Sequence, residues 1–382
     1  MAAANVAIVG IGEVTPQRYL EEELDELACD AIDLALADAG LSATDIDGII
    51  CESTMNFPVL ETLAGTFGLQ PDVFLAQAGG AGMGIVGSPK VARMAIETGA
   101  ATSVVCFYAS KLGSMARKVY DYHGDIPHKA NLEVPFGFFP QVAYMAAMAT
   151  RYLAEYGYDA DDFRHVVDTQ REWAGRNELA IKKDRLDGDD YRAKPMVATP
   201  LRTPDCALMN DGAIAYVMTS SDRARDLRQP LVEIAACSTA TEAIAEHSHL
   251  GVRPDLLSLP SRLSAGPAFS QAGVGPGDID LVELYDCFSI IPVIQLEDMG
   301  FCGRGEALGL YAKGEMRPGG PLPVNTHGGL LCHSYLLSGN HLIEAVRQLR
   351  GSAKDAQIPD AETAVVTAWN AQEHATAILV KP

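Results

Sequence analysis

AGVGPGDIDLVE, Ala272 to Glu283, is matched without a gap by AGLSATDIDGII, Ala39 to Ile50. Both open on Ala-Gly and both reach Asp-Ile-Asp before an apolar run. Each reads as a helix end, a glycine stop, a loop and a buried strand. Upstream of the first copy, Leu24, Leu27, Ala28, Ala31, Ile32, Ala35 and Ala39 keep helical spacing, so Gly40 stands where that helix stops. A repeated unit this long predicts a duplicated α/β chain rather than a solenoid. The 382 residues fit two units of roughly 100–200 residues each. The expected halves are 1–225 and 226–382.

Strand patterns recur on either side of the repeat. NVAIVGIG (Asn5–Gly12), IDGIICES (Ile46–Ser53), ATSVVCFYA (Ala101–Ala109), DGAIAYVMTS (Asp211–Ser220) and LVEIAAC (Leu231–Cys237) are short apolar or β-branched runs. FLAQAGGAGMGIVG leads into a helix that runs to about Thr98. From about 110 to 205 the pattern loosens into helical pieces and loops rich in Tyr, Arg, Lys and Asp. This segment reads as an insertion on the β–α framework. The Gly10-x-Gly12 pair lacks the third glycine of a dinucleotide fingerprint, and position 15 is Thr, so that reading is set aside.

The bulk numbers exclude some partners. The formal net charge is −21, which disfavours nucleic acid and anionic membrane. No apolar run reaches the roughly 18 residues that a membrane span needs. The start MAAANVAIVG runs straight into a strand pattern and predicts no secretory leader. Eight cysteines show no CxxC spacing, which predicts reduced thiols and a cytoplasmic protein.

LVELYDCFSI, Leu281 to Ile290, then brings chemistry to the end of a strand. Open α/β sheets bind ligands at the carboxyl ends of their strands, and Tyr285, Asp286 and Cys287 fall there. Asp286 could orient Tyr285 or cap the helix that follows. Tyr335 lies among Gly328, Gly329 and Gly339, which suit close ligand approach. His333 precedes it by two residues and would share its face in an extended segment. His327, His333 and His341 have no acidic or Cys partner at metal-ligand spacing, so they are expected to support the site without a metal. Cys287 and Cys332 read as small buried residues.

VAIVGIG, DGA (Asp211–Ala213), ELYDCFS and PVNTHGGLLCHSYLLSGNHLIEAVRQLRG (Pro323–Gly351) resemble the thiolase superfamily, in particular the sterol-carrier-protein and lipid-transfer-protein type. The resemblance runs nearly end to end. It implies a duplicated five-layer αβαβα fold with a loop-domain insertion, a homodimer and an acyl-CoA ligand. The chain departs from working thiolases at four places. The nucleophilic Cys would fall at about Ala81 or Gly82, but QAGGAGMGIVG (Gln77–Gly87) holds none. The histidine of the HDCF motif is Tyr285, and that of the GHP motif falls on Tyr335. The Gly-Gly pair near the family's C-terminus is also missing from WNAQEHATAILVKP.

These departures resemble the steroid side-chain-cleaving aldolases, thiolase folds that split a β-hydroxyacyl-CoA. That resemblance implies Tyr285 and Tyr335 as catalytic residues, supported by Asp286, His327 and His333. It implies Gly80, Ala81 and Gly82 at the thioester oxygen, and Lys182, Lys183 and Arg202 at the CoA phosphates. It also implies a separate zinc-ribbon/OB-fold protein or hydratase subunit as partner in a heterotetramer. No cofactor is needed beyond the coenzyme A thioester substrate. The chemistry suits the residues: a retro-aldol needs a base, an enolate stabiliser and an acid, and tyrosines can carry protons both ways. Helix-head N–H groups at Gly79–Gly84 could hold the enolate oxygen. Without a thiolate no acyl-enzyme forms at the usual place. Acyl transfer through Cys287 or Cys332, and a non-catalytic subunit of a hydratase complex, stand as alternatives.

Overall fold

Strand β1 (Val6–Glu13) alternates between two cores. Val6 and Ile8 point into one apolar cluster and Ala7 and Val9 into another. This period of two places helices on both faces of the sheet. The computed structural model describes residues 5–53, 59–80, 83–115, 127–138, 141–242, 253 and 255–382. Among these, no helix is long and apolar enough to cross a membrane.

The first half continues with helix α1 (Leu24–Ala39), β2 (Gly48–Ser53), α2 (Leu60–Thr66), β3 (Phe74–Gly80), α3 (Gly84–Thr98) and β4 (Ser103–Lys111). The insertion carries α4 (Pro127–Leu132), α5 (Gln141–Tyr156), α6 (Arg164–Ala174), α7 (Gly188–Ala193) and a small hairpin, β5 (Met196–Ala198) and β6 (Leu201–Arg202). The chain then runs through β7 (Asp211–Ser220), α8 (Ser221–Ala224), β8 (Val232–Thr241), α9 (Ser261–Ala272), β9 (Leu281–Glu283) and α10 (Ile290–Asp298). It closes with α11 (Ala307–Lys313), α12 (Gly329–Cys332), α13 (Gly339–Arg350), β10 (Thr363–Asn370) and β11 (Glu373–Val380).

Among the described residues, nine strands form one sheet in the order β3-β2-β4-β7-β1-β8-β11-β10-β9. Its two sides repeat the same pairing. On one side β2 is parallel to β4, β4 antiparallel to β7, and β7 antiparallel to β1. On the other, β9 is parallel to β10, β10 antiparallel to β11, and β11 antiparallel to β8. Val324 bridges Val282 in parallel, at the place that β3 holds in the first side. The seam between the sides is two antiparallel residue pairs, Ala7 with Glu233 and Ile8 with Val232.

The aligned runs of sequence fold alike. Gly40 ends α1 and Gly273 ends α9, both in the left-handed conformation. Each is followed by a single 3-10 turn, Ala43–Asp45 and Pro276–Asp278, and then by β2 or β9. Helices α3 and α13 share a core with strands from both sides of the sheet. Helix α1 covers the outer face of one side, and α9 that of the other. Helices thus lie outside each side of the sheet and between its two sides.

Two features differ from the sequence reading, and a third gains its reason. Phe74–Gly80 is a strand, although its Ala and Gly content gives no β signal. Strands β10 and β11 also escaped it. The Gly10-x-Gly12 pair serves packing: a Cβ would meet the carbonyls of Ala35 at 2.1 Å and Ala31 at 2.2 Å, so only glycine lets α1 lie this close to β1.

Glu13, at the end of β1, ties the first half to the last helix. His333 Nε2 lies 2.6 Å from one of its oxygens and Arg347 donates to the other at 2.8 Å. Burial pushes the Glu13 carboxyl up, but His333 and Arg347 outweigh it and hold the group at about 2. A depressed carboxyl stabilises the fold fully above its unfolded value of 4.5 and progressively less as pH falls toward 2. Glu13→Gln is therefore expected to destabilise the protein by about 2 kcal/mol at neutral pH. The gap from the wild type should close toward pH 2, as read by urea unfolding across that range.

Candidate active site

The chain leaves β9 at Glu283 and swings Tyr285 under the sheet. The Tyr285 N–H donates to Thr367 Oγ1 of β10 at 3.0 Å, and its carbonyl accepts from Gln295 Nε2 of α10 at 2.7 Å. Thr367 donates to Gln295 at 2.7 Å, closing the triangle. Trp369 meets the Tyr285 ring edge to face at 6.2 Å. Backbone and ring are thus fixed by β10 and α10.

Tyr335 sits between α12 and α13. Its N–H donates to Asn210 Oδ1 at 2.6 Å. Leu337 and Ser338 follow at positive φ, and a Cβ on Gly339 would lie 2.4 Å from Ile214. The two phenol oxygens are 2.9 Å apart, a hydrogen bond between residues fifty positions apart in sequence. Tyr285 is 3% exposed, and Tyr335 is half-buried. Burial pushes the Tyr285 phenol well up, and Tyr335, Cys287 and Glu52 push it the same way. Tyr285 is held as the neutral phenol.

Beneath the pair lies a buried polar network. Asp286 Oδ1 accepts from the Leu330 N–H at 2.7 Å and lies 3.2 Å from His341 Nε2. It therefore anchors α12; the structure shows it neither on the Tyr285 phenol nor at the cap of α10. His333 does not share the face of Tyr335, because α12 and a turn replace the extended segment. Its ring nitrogens face Asn177 at 3.0 Å and Glu13 at 2.6 Å. His327 Nδ1 lies 3.0 Å from Glu283 Oε2. Burial drives Glu283 well up and His327 well down, so both favour their neutral forms.

Glu283, His327 and His341 bring three ligand atoms within 4.8 Å of one another, the arrangement among the described residues that could surround a metal ion. The acidic partner missing from the histidine motif comes from β9, a relation that spacing along the motif does not reveal. Each histidine already has a carboxylate neighbour, Glu283 for His327 and Asp286 for His341.

The environments of Cys287 and Cys332 disfavour the thiolate. Burial pushes Cys332 up to about 12, and burial with Asp286 raises Cys287 well above its ordinary value. A thiolate nucleophile needs the opposite shift.

Ala81 and Gly82 lie outside the described residues, and Gly80 ends β3. The head of α3 holds a group the sequence reading missed. Glu52, from the end of β2, accepts the Ile85 N–H at 2.9 Å. The N–H that follows the expected oxyanion stretch Gly79–Gly84 is thus already taken by a carboxylate. Lys182 and Lys183 are exposed. Their segment meets the tyrosine motif through Ile181 N–H to the His333 carbonyl at 3.2 Å and Lys182 N–H to the Cys332 carbonyl at 2.9 Å. Arg202 instead reaches the Lys194 carbonyl at 3.0 Å and lies over the Tyr191 ring.

Comparison with known proteins agrees with this layout. The model of the family described as Thiolase C-terminal domain-like matches residues 243–381. The chain is 34% identical over 378 residues to the 17-hydroxy-3-oxo-4-pregnene-20-carboxyl-CoA lyase of Mycobacterium tuberculosis, covering 96% of this chain and 97% of that one. It is 33% identical over 372 residues to the steroid side-chain-cleaving aldolase of Thermomonospora curvata, covering 95% and 94%. Among solved structures, the Ltp2-ChsH2(DUF35) aldolase superposes with a TM-score of 0.91 at 32% identity, covering 99% and 98% of the two chains. Human mitochondrial 3-ketoacyl-CoA thiolase, at 14% identity and a TM-score of 0.73 over both whole chains, shares the fold. The chain belongs to the thiolase superfamily, in the family of the steroid side-chain-cleaving aldolases, and is an aldolase of thiolase fold.

Proposed function

We propose that this chain cleaves a β-hydroxyacyl-CoA between Cα and Cβ by a retro-aldol reaction, without a covalent acyl-enzyme. The observation that carries the reading is the 2.9 Å bond between the Tyr285 and Tyr335 phenols. The two stand where the thiolase motifs put their histidines. In this reading the buried, neutral Tyr285 donates the proton that Cα needs, and the less buried Tyr335 receives the one that leaves the β-hydroxyl. Asp286, His327 and His333 hold the segment that carries Tyr335.

The substrate proposed is a steroid or bile-acid side chain, a 17-hydroxy CoA thioester that yields a ketone and propionyl-CoA. The names of the related enzymes support it. Gly80, Ala81 and Gly82 would take the thioester oxygen, and Lys182, Lys183 and Arg202 the CoA phosphates. We further propose a homodimer joined by a separate zinc-ribbon/OB-fold chain or hydratase subunit. The two-component name of the Ltp2-ChsH2(DUF35) aldolase supports a partner. Eight free thiols suit a reducing cytoplasm.

The cysteines separate this reading from acyl transfer. Cys287→Ala and Cys332→Ala are expected to keep cleavage within about threefold of the wild type, since neither thiol takes part. Mass spectrometry of the wild type after turnover should find no acylated cysteine. An acyl adduct on either residue would return the assignment to a transferase.

A further inference from the structure

Glu283 ends β9, His327 stands in the loop before α12, and His341 lies in the first turn of α13. All three are buried, at most 1% exposed. One ligand atom from each, a carboxylate oxygen and two ring nitrogens, comes within 4.8 Å of the others. Glu283 Oε2 and His327 Nδ1 are 3.0 Å apart, yet they are not aligned as a hydrogen bond, and neither atom has a hydrogen-bond partner. His341 Nδ1 is likewise buried without one. Enclosed polar atoms are nearly always paired, so three orphans gathered in three neighbouring side chains call for a reason.

The surroundings suit a bound cation. His341 Nε2 lies 3.2 Å from Asp286 Oδ1, so its N–H points at the carboxylate and the Nδ1 lone pair is left over. Carboxylates hold metal-ligating imidazoles in this way. Thr326 donates its N–H and its hydroxyl to Glu283 Oε1, at 2.8 and 2.9 Å, which leaves Oε2 as the ligand. His327 Nε2 faces the Asn340 amide at 2.9 Å. A ligating Nδ1 requires Nε2–H to donate. Asn340 Oδ1, buried and unpartnered, accepts it once the amide turns over and gives up its 3.2 Å bond to the Ser334 carbonyl. Burial raises the Glu283 carboxyl, and Glu344 and Asp286 push it further the same way. A cation relieves that crowding of acids. Two imidazoles and one carboxylate fit zinc and its neighbours rather than magnesium or calcium, which take shells of oxygen. Zinc bonds put tetrahedral ligands about 3.4 Å apart, so side-chain movements of about an ångström close the site.

We propose that Glu283, His327 and His341 bind one divalent transition-metal ion, zinc by preference. The ion clamps the end of β9, which leads into Tyr285, to the loop and helix on either side of Tyr335. Glu283 gives its proton to solvent on binding, so occupancy falls as pH falls. The clamp belongs to the fold of the site and does not depend on which reaction the tyrosines serve.

The test is Glu283→Gln, which keeps an oxygen for the Thr326 bonds and turns an amide nitrogen to the ion. Metal content is read by inductively coupled plasma mass spectrometry on the full chain after gel filtration. The wild type is expected to carry about one zinc per chain and the variant less than about a tenth of that. Chelation should lower the wild-type melting temperature by about 5 °C, zinc chloride should restore it, and the variant should respond to neither. In a complex whose partner brings zinc of its own, the same difference of one ion is read between wild type and variant. If the variant does not fold, X-ray absorption at the zinc edge of the wild-type chain decides: imidazole ligands without sulfur support the site, and a sulfur ligand overturns it. A wild type without metal and without response to zinc chloride overturns the proposal, as does zinc held equally by both proteins.

Discussion

Phenylalanine at position 285 or 335 is expected to cut cleavage at least about a hundredfold while the protein stays folded. Positioned proton transfer contributes roughly 10²–10⁴ to a rate, and each substitution removes one phenol from the path. The loss should fall on kcat more than on KM, because the hydroxyl acts on developing charge rather than on substrate binding. Folding should survive. The Tyr285 ring keeps its edge contact with Trp369 and its backbone keeps the bonds to Thr367 and Gln295. The cost of losing one hydrogen bond is about 1 kcal/mol. The double variant should lose little more than either single one, since the phenols act as a unit. Steady-state cleavage and thermal melts of the three variants check this. Turnover within threefold of the wild type in both single variants would remove the tyrosines from the mechanism.

Gly329→Ala should cost about 3 kcal/mol or more of stability. Gly329 has φ +62°, a conformation that costs an L-residue roughly 1–2 kcal/mol. Its Cβ position lies 2.1 Å from Asp286 Oδ2, so the buried carboxylate must move. Moving it breaks the bond from Leu330 and the contact with His341. The segment bearing Tyr335 would shift with α12, so activity should fall along with stability. Gly319→Ala is the matched control. Its φ is +82°, but nothing lies within 4 Å of its Cβ position, so it should cost only the backbone term, about 1 kcal/mol. Equal urea midpoints for the two variants would show that the Asp286 contact carries no weight.

Local signals carried the fold a long way. Glycine stops and the repeated Asp-Ile-Asp place two helix–loop–strand units, and both fold so, each with a single 3-10 turn in its loop. Tyr285 and Tyr335 stand out because each replaces a motif histidine. What stayed hidden arises from sheet register and from chain segments meeting in space. Glu52 lies in an unremarkable strand, IICES, and gains meaning only when β2 ends against the head of α3. Glu283 reads as a strand residue until His327 is brought to it from a distant loop. Glu13 is similar: its partners, His333 and Arg347, come from the far end of the chain. Asp286 looked like a neighbour of Tyr285, yet the turn after β9 sends successive side chains in different directions, and it anchors α12 instead.

The most direct test is the product analysis of one reaction. The chain is purified with the proposed zinc-ribbon/OB-fold partner and given a 17-hydroxysteroid side-chain CoA thioester. Mass spectrometry then follows both the small molecules and the protein. The account predicts a ketosteroid and propionyl-CoA in equal amounts, with every cysteine unmodified. An acylated cysteine, or intact thioester after prolonged incubation with the complex, would contradict it.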